Sequence, residues 1–111
     1  MRQVSKKRAA SATVRNKVRK IVIERADGIC EARLSMCQWE GTDVHELKTR
    51  GRGGDPNDES NCILLCRLCH RYITDNPAWS EENGFVLPSW AGIAEEIAAS
   101  RARLEFRNGR A

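Results

Sequence analysis

The stretch "NCILLCRLCHRYI", residues 61–73, decides the fold, because an apolar run leads directly into three metal-binding side chains. The apolar residues predict a short buried strand over 61–66. Cys66 and Cys69 have the Cys-x2-Cys spacing of half a zinc site, and His70 is also a metal ligand. Neighbouring side chains point in divergent directions, so Cys69 and His70 are not expected to share one ion. We therefore predict that this turn serves two different sites.

The other half of a zinc site is predicted upstream, in the turn-rich segment that carries Cys30 and Cys37. The chain has five cysteines, an odd number, and no secretory signal, which favours reduced metal-binding thiols over disulfides. Four thiolates suit a tetrahedral structural Zn²⁺. Cys62 is left over and is expected to be a small buried apolar residue within the strand.

The segments before this stretch alternate between helix, turn and strand. Residues 1–12 are predicted to be a basic disordered arm. Val14, Val18 and Ile21 then follow helical spacing, which predicts a helix at about 13–26 that ends at Gly28. A short strand over 43–47 and a glycine-rich loop are expected to lead into the second strand.

Behind Cys69 a helix is expected to begin and to break before Pro77. Another helical turn or two should start at this proline and end at Gly84, followed by an amphipathic helix at about 89–106. The order of elements predicts an α+β fold with metal ligands at its joints. We divide the chain into the basic arm, a zinc-stapled domain at 13–87 and a C-terminal helix within 88–111.

Charge and composition limit the classes of function. The first 25 residues contain nine Lys or Arg and one acid, a net charge of +8, so a total of +4 leaves −4 for the remainder. A basic arm on an acidic body predicts a polyanionic partner, with nucleic acid favoured over a membrane surface. The chain has 111 residues, fits one small domain and shows no apolar run of membrane-spanning length, so we expect a soluble cytoplasmic protein.

Two segments together, "HELKTRGRGG" at 45–54 and "ESNCILLCRLCHRYI" at 59–73, resemble the HNH endonuclease motif of phage and prophage proteins. The resemblance implies a small ββα-metal (HNH) domain with a structural zinc held by four cysteines, flanked by N- and C-terminal helices. It also implies a divalent metal at the catalytic site, which could be Mg²⁺, Mn²⁺, Ni²⁺ or Zn²⁺. His45 and His70 are the implied ligands, and Asn61 is implied to orient the general base.

The sequence departs from the HNH pattern at two positions. Glu46 occupies the general-base position, where relatives normally have histidine, and a carboxylate is the weaker base. The reverse arrangement, with Glu46 as metal ligand and His45 as base, stays open. Thr74 stands one helical turn after His70, where relatives often place another ligand, so Thr74 and Asn76 are further candidate ligands.

Basic residues near these motifs are the candidate DNA contacts, because arginine can bind a phosphate through two parallel hydrogen bonds. They are Lys48, Arg50 and Arg52 in the loop, and Lys17 and Lys20 in the first helix. The three tryptophans are expected to fill the core rather than stack on bases. Nothing predicts a base-reading code, so we expect little sequence specificity.

The leading hypothesis is a metal-dependent endonuclease that nicks or cleaves double-stranded DNA, acting as a monomer or homodimer. The alternative is a zinc-stapled accessory protein with an impaired active site, for instance beside a phage terminase during genome packaging. A zinc-ribbon transcription regulator would explain the cysteines and the basic arm. It would leave His45, Asn61 and the glycine loop without a role, so it ranks third.

Overall fold

The computed structural model describes residues 6–91 of the chain, as a small α+β fold. The main elements are α1 (Lys6–Ala26), β1 (Asp43–Glu46), β2 (Cys62–Leu65), α2 (Arg67–Asp75) and α3 (Pro77–Glu82), with short 3-10 helices at Arg50–Arg52 and Glu59–Asn61. None of the helices described here is both long and apolar enough to cross a membrane. Residues 89–91 form a turn, and the rest of the predicted C-terminal helix lies outside the described residues.

The two strands form an antiparallel hairpin that is the centre of the described fold. His45 pairs with Ile63, and Glu46 pairs with Cys62. All four residues of β2 are buried, because helices cover both faces of this strand. A strand that is covered on both faces has no reason to alternate apolar and polar residues, which explains the uninterrupted apolar run.

Helix α1 covers one face of the hairpin. Val18 and Val22 pack with Cys62 and Leu64 in a small apolar cluster. The helix begins at Lys6, so the expectation of a disordered arm through residue 12 is corrected from Lys6 onward. The residues at 6–12 include Lys, Arg and Ala, which are strong helix formers. As predicted, the helix ends at Ala26, just before Gly28, whose N–H donates to the carbonyl of Ile23 at 2.9 Å and whose φ is +71°.

The larger core lies on the other face of the hairpin, where Ile63 and Leu65 of β2 pack with Ile73 and Phe85. Trp79 is partly buried and stacks on Phe85 with a centroid distance of 5.7 Å. The other two tryptophans are not core residues, since Trp39 is 61% exposed and Trp90 is 81% exposed. The expectation that all three fill the core is therefore wrong for these two.

Arg25, near the end of α1, holds this helix to the rest of the fold. Its guanidinium donates to the carbonyls of Glu59 and Cys62 and to the carboxylate of Glu31 at 3.1 Å. The buried Glu31 carboxylate also accepts from the backbone N–H of Leu64 at 3.0 Å. This charged bridge therefore holds α1 and the cysteine-bearing loop against β2.

Candidate metal centres

The thiols of Cys30, Cys37, Cys66 and Cys69 form one cluster, with all four Sγ atoms within 4.8 Å of one another. The Sγ atoms of Cys66 and Cys37 are 4.0 Å apart. Four sulfurs at Zn–S bonds of about 2.3 Å in a tetrahedron lie roughly 3.8 Å from each other. The cluster is the predicted set of four, and its dimensions suit a structural metal ion such as zinc. Cys62 lies apart, in the apolar cluster under α1.

Backbone hydrogen bonds place these thiols. The loop that carries Cys30 and Cys37 is closed by the Cys30 N–H, which donates to the Trp39 carbonyl at 2.7 Å. Cys66 is the N-cap of α2, and its Sγ accepts from the N–H of Cys69 at 3.4 Å. The N–H of Gln38 donates to the same sulfur at 3.4 Å. Hydrogen bonds to the charged form of a group stabilise it, so this sulfur is prepared to be a thiolate.

The pKa values of the cluster differ between members. Burial raises the pKa of the Cys66 thiol, but the N–H groups of Gln38 and Cys69 outweigh burial and lower it to about 7. Burial raises the pKa of Cys69 well above its usual range and also raises that of Cys37. Metal binding therefore releases protons from these thiols, and those of Cys37 and Cys69 are held more tightly than that of Cys66.

A second group of possible ligands lies on the face of the hairpin opposite α1. The rings of His45, on β1, and His70, on α2, meet edge to face with a centroid distance of 5.3 Å. Metal–nitrogen bonds of about 2.1 Å would place the centroids of two imidazoles on one ion roughly 5 Å apart. The two histidines predicted as ligands are therefore neighbours, whereas among the described residues the group of three or more potential ligand atoms close enough for one ion is the four-cysteine cluster.

Each imidazole has one nitrogen fixed by an acceptor. The Nε2 atom of His45 is 2.6 Å from the carbonyl oxygen of Phe85, and Nδ1 of His70 is 2.9 Å from Oδ2 of Asp43. Burial lowers the pKa of His45 to about 4, so its ring is neutral at neutral pH. A carbonyl oxygen only accepts, so Nε2 of His45 carries the proton and Nδ1 carries the lone pair.

The same reasoning applies to His70. Burial raises the pKa of Asp43, but hydrogen bonds from His70 and Arg67 outweigh it and lower the pKa below its usual range. An ionised carboxylate only accepts, so Nδ1 of His70 is the donor and Nε2 is the ring nitrogen that Asp43 does not bind. A carboxylate behind a metal-binding histidine fixes the ring and strengthens it as a ligand. Asp43 was not among the predicted site residues, although it lies two positions before His45 and so on the same face of β1.

Glu46 does not join the two histidines. It follows His45 on the strand, so its side chain leaves the opposite face. There it lines a cleft under α1 together with Arg15, Arg19 and Val44. The predicted set of His45, Glu46 and His70 is therefore divided between the two faces of the hairpin.

Asn61 is fully buried and binds the loop backbone rather than the Glu46 carboxylate. Its Oδ1 accepts from the Lys48 N–H at 2.8 Å, and its Nδ2 donates to the carbonyls of Lys48 and Asp55 at 2.7 and 3.1 Å. The Lys48 side chain is buried as well, with Nζ donating to the Ala91 carbonyl at 2.7 Å. Lys48 is thus corrected from a DNA contact to a structural residue.

The remaining predicted residues also differ in their surroundings. Thr74 and Asn76 donate side-chain hydrogen bonds to the carbonyls of His70 and Tyr72, one turn earlier in α2. This is a local interaction with the helix backbone and gives no sign of metal ligation. Arg52 is partly covered and donates to the Leu87 carbonyl at 3.3 Å, whereas Arg50 is exposed.

Lys17 and Lys20 are exposed on α1. Val18 and Val22 mark the buried side of this helix. At 3.6 residues per turn, both lysines lie on the side turned away from the hairpin. Neither of them lines the Glu46 cleft.

Comparisons with protein-family models, curated proteins and solved structures gave no match. They assign the chain to no family, so its resemblance to HNH endonucleases stays a prediction based on the quoted motifs.

Proposed function

We propose that the protein is a metal-dependent endonuclease that cleaves DNA phosphodiester bonds with low sequence specificity. The observation that carries this proposal is the His45–His70 pair, in which the Phe85 carbonyl and the Asp43 carboxylate each hold one ring nitrogen. The arrangement leaves one ring nitrogen of each histidine without a protein partner in these bonds. Two imidazoles with fixed orientation are suited to bind a divalent ion while leaving positions for water and phosphate.

A divalent ion bound there would stabilise the negative charge of the scissile phosphate and of the leaving oxygen. His45 and His70 would hold it, and Asp43 would keep the His70 ring in the orientation required. The four-cysteine cluster has a different role in this proposal. It would bind structural zinc and hold the start of α2, and with it His70, against the hairpin.

Glu46 is the proposed acceptor of the proton from the attacking water. Its Cα is about 3.8 Å from that of His45, as for any neighbouring residues. Their side chains leave opposite faces of β1, so this proposal requires the phosphodiester group to lie across the end of the strand, where both can reach it. A carboxylate is a weaker base than the usual histidine, which predicts a slow enzyme.

The test is nicking of supercoiled plasmid by purified full-length protein in EDTA, Mg²⁺, Mn²⁺, Ni²⁺ and Zn²⁺. We expect metal-dependent nicking that His45→Ala and His70→Ala abolish while zinc content and circular dichroism are unchanged. Glu46→Gln should reduce the rate at least about 100-fold, the lower range for loss of a general base. Glu59→Gln is the matched control, since Glu59 is an exposed acid elsewhere, and it should nick like the wild type.

A DNA-binding accessory protein without nuclease activity is the second candidate. The observation that favours it is the separation of Glu46 from the histidine pair, together with the use of the Asn61 amide to bind the loop backbone. This candidate predicts DNA binding with no nicking in any of the metals. Nicking that appears only in Glu46→His would support it, because the fold would then lack nothing but a competent base.

A further inference from the structure

The cleft under α1 is a charged site that the histidine pair does not use. It has a volume of about 230 Å³ and lies between α1 and the face of the hairpin that carries Glu46. Its floor is apolar, with Val18, Val44, Pro56 and Cys62. Arg15, Arg19 and Glu46 supply the charges of its wall.

Arg15 and Arg19 are the two side chains lining the cleft that can bind an anion. They share it with the Glu46 carboxylate, and Arg25, Asp55 and Asp58 also act electrostatically on Cys62 in its lining. Among the ion pairs formed between described residues, none joins Arg15 or Arg19 to Glu46. Arg19 donates one N–H to the Thr42 carbonyl at 2.9 Å. A guanidinium has five N–H donors, so this bond orients Arg19 and leaves donors for a ligand.

We propose that Arg15 and Arg19 bind a backbone phosphate of the DNA strand and so position the strand beside Glu46. This inference rests on the proposed function, and it assigns the substrate contact to a pair of residues that sequence reasoning did not select. The cleft is smaller than the ~300–1,000 Å³ of a typical small-molecule site, so a phosphate with its sugar fits it better than an enclosed ligand. Arginine binds phosphate through parallel N–H donors, and two arginines one helical turn apart offer two such groups to a strand.

The experiment measures binding of a fluorescent DNA duplex to the full-length, zinc-loaded protein by anisotropy, without divalent metal in the buffer, over a series of salt concentrations. The test variant is Arg15→Gln with Arg19→Gln. The control is Lys17→Gln with Lys20→Gln, which removes the same charge from the outer side of the same helix. Arg15→Gln alone is added, because Arg19 has a tertiary hydrogen bond whose loss could disturb folding.

Each phosphate contact contributes about 0.9 to the slope of log Kd against log salt. Because the two arginines bind one phosphate in this proposal, the arginine double variant should lose close to 1 from this slope, with the affinity at 150 mM salt reduced at least roughly tenfold. Arg15→Gln alone should change both quantities in the same direction by less. The lysine variant should keep a slope near that of the wild type. Equal losses in the two double variants would overturn the proposal, because they would show that only total charge matters.

Nicking of plasmid by the same variants separates this inference from the proposed function. An arginine variant that binds and nicks like the wild type would overturn the inference alone. A wild type that binds DNA through these arginines but nicks in no metal would support the inference and overturn the nuclease. A wild type that binds no duplex at low salt would overturn both.

Discussion

Replacing Asn61 by alanine should destabilise the fold by about 3 kcal/mol. The side chain is fully buried and makes three hydrogen bonds, two to the backbone of Lys48 and one to the Asp55 carbonyl. A typical hydrogen bond contributes about 1 kcal/mol net, and a buried group left without its partner costs about 1–3 kcal/mol. Lys48 is itself only 4% exposed, so water cannot readily replace the lost amide.

The measurement is urea unfolding of the zinc-loaded protein followed by circular dichroism, with zinc held at one concentration throughout. We expect a lower midpoint at an unchanged slope, because a stability change without a change in compactness moves only the midpoint. The control is Asn57→Ala, an exposed residue of the same loop, which should change the free energy of unfolding by less than about 0.5 kcal/mol.

Two results would refute this reasoning. A loss below about 1 kcal/mol in Asn61→Ala would mean that the three bonds do not hold the loop. A variant of normal stability that nicks DNA slowly would instead assign Asn61 to orientation of the base, as the HNH resemblance implies. Asn61→Asp is a further test of the structural role. It keeps an acceptor for the Lys48 N–H, but it replaces the NH2 group, which donates to two carbonyls, by an oxygen that those carbonyls repel.

Three further predictions concern the metal, pH and the glycine loop. Cys66→Ser should lose bound zinc, as measured by mass spectrometry, and unfold or lose most of its stability, whereas Cys62→Ala should keep its zinc. The pKa of His45 is lowered from 6.5 to about 4 in the folded protein. Below pH 6.5 the unfolded chain therefore binds a proton more readily than the folded one. The free energy of unfolding should be highest above pH 6.5 and should fall by about 3 kcal/mol as the pH falls to 4. This loss should shrink in His45→Gln, and equal pH profiles would contradict the assignment. Gly54→Ala should destabilise by roughly 1–3 kcal/mol, because its Cβ would overlap a neighbouring backbone carbonyl, while Gly51→Ala has open space and should be tolerated in thermal melts.

Local chemistry made several features predictable from the sequence. The Cys-x2-Cys spacing identified one half of the cluster, and composition identified Cys30 and Cys37 as the other half. Pro77 marked the boundary between α2 and α3 because proline begins a helix readily but restricts the residue before it. The Cys-x2-Cys spacing and Pro77 are local signals that need no knowledge of distant contacts, whereas the two cysteine pairs were joined by the requirement of zinc for four ligands.

Features that depend on distant contacts could not be predicted. The sequence predicts that Lys48 is an exposed cation of the loop. In the structure it is buried, and its Nζ donates to the carbonyl of Ala91, 43 residues later. Trp39 reads as a core residue, but its backbone has a φ of +75° and Arg33 stacks over its ring at 5.0 Å, on the surface. Neither the burial of Lys48 nor the exposure of Trp39 follows from the residues next to them in the sequence.

Successive side chains of a β-strand point to opposite faces, so the separation of His45 from Glu46 could be predicted from the sequence. It places Asp43 with His45 on the face of α2, and it places Glu46 on the face of α1. The two proposals use this division in complementary ways. In the first, the histidine pair would bind a metal on one face, and in the second the arginines would bind a phosphate beside Glu46 on the other. In the two proposals together, a DNA strand that crosses the end of β1 would meet both faces of the hairpin. His45→Ala should then abolish nicking while DNA binding is kept, whereas Arg15→Gln should weaken DNA binding and, with it, nicking.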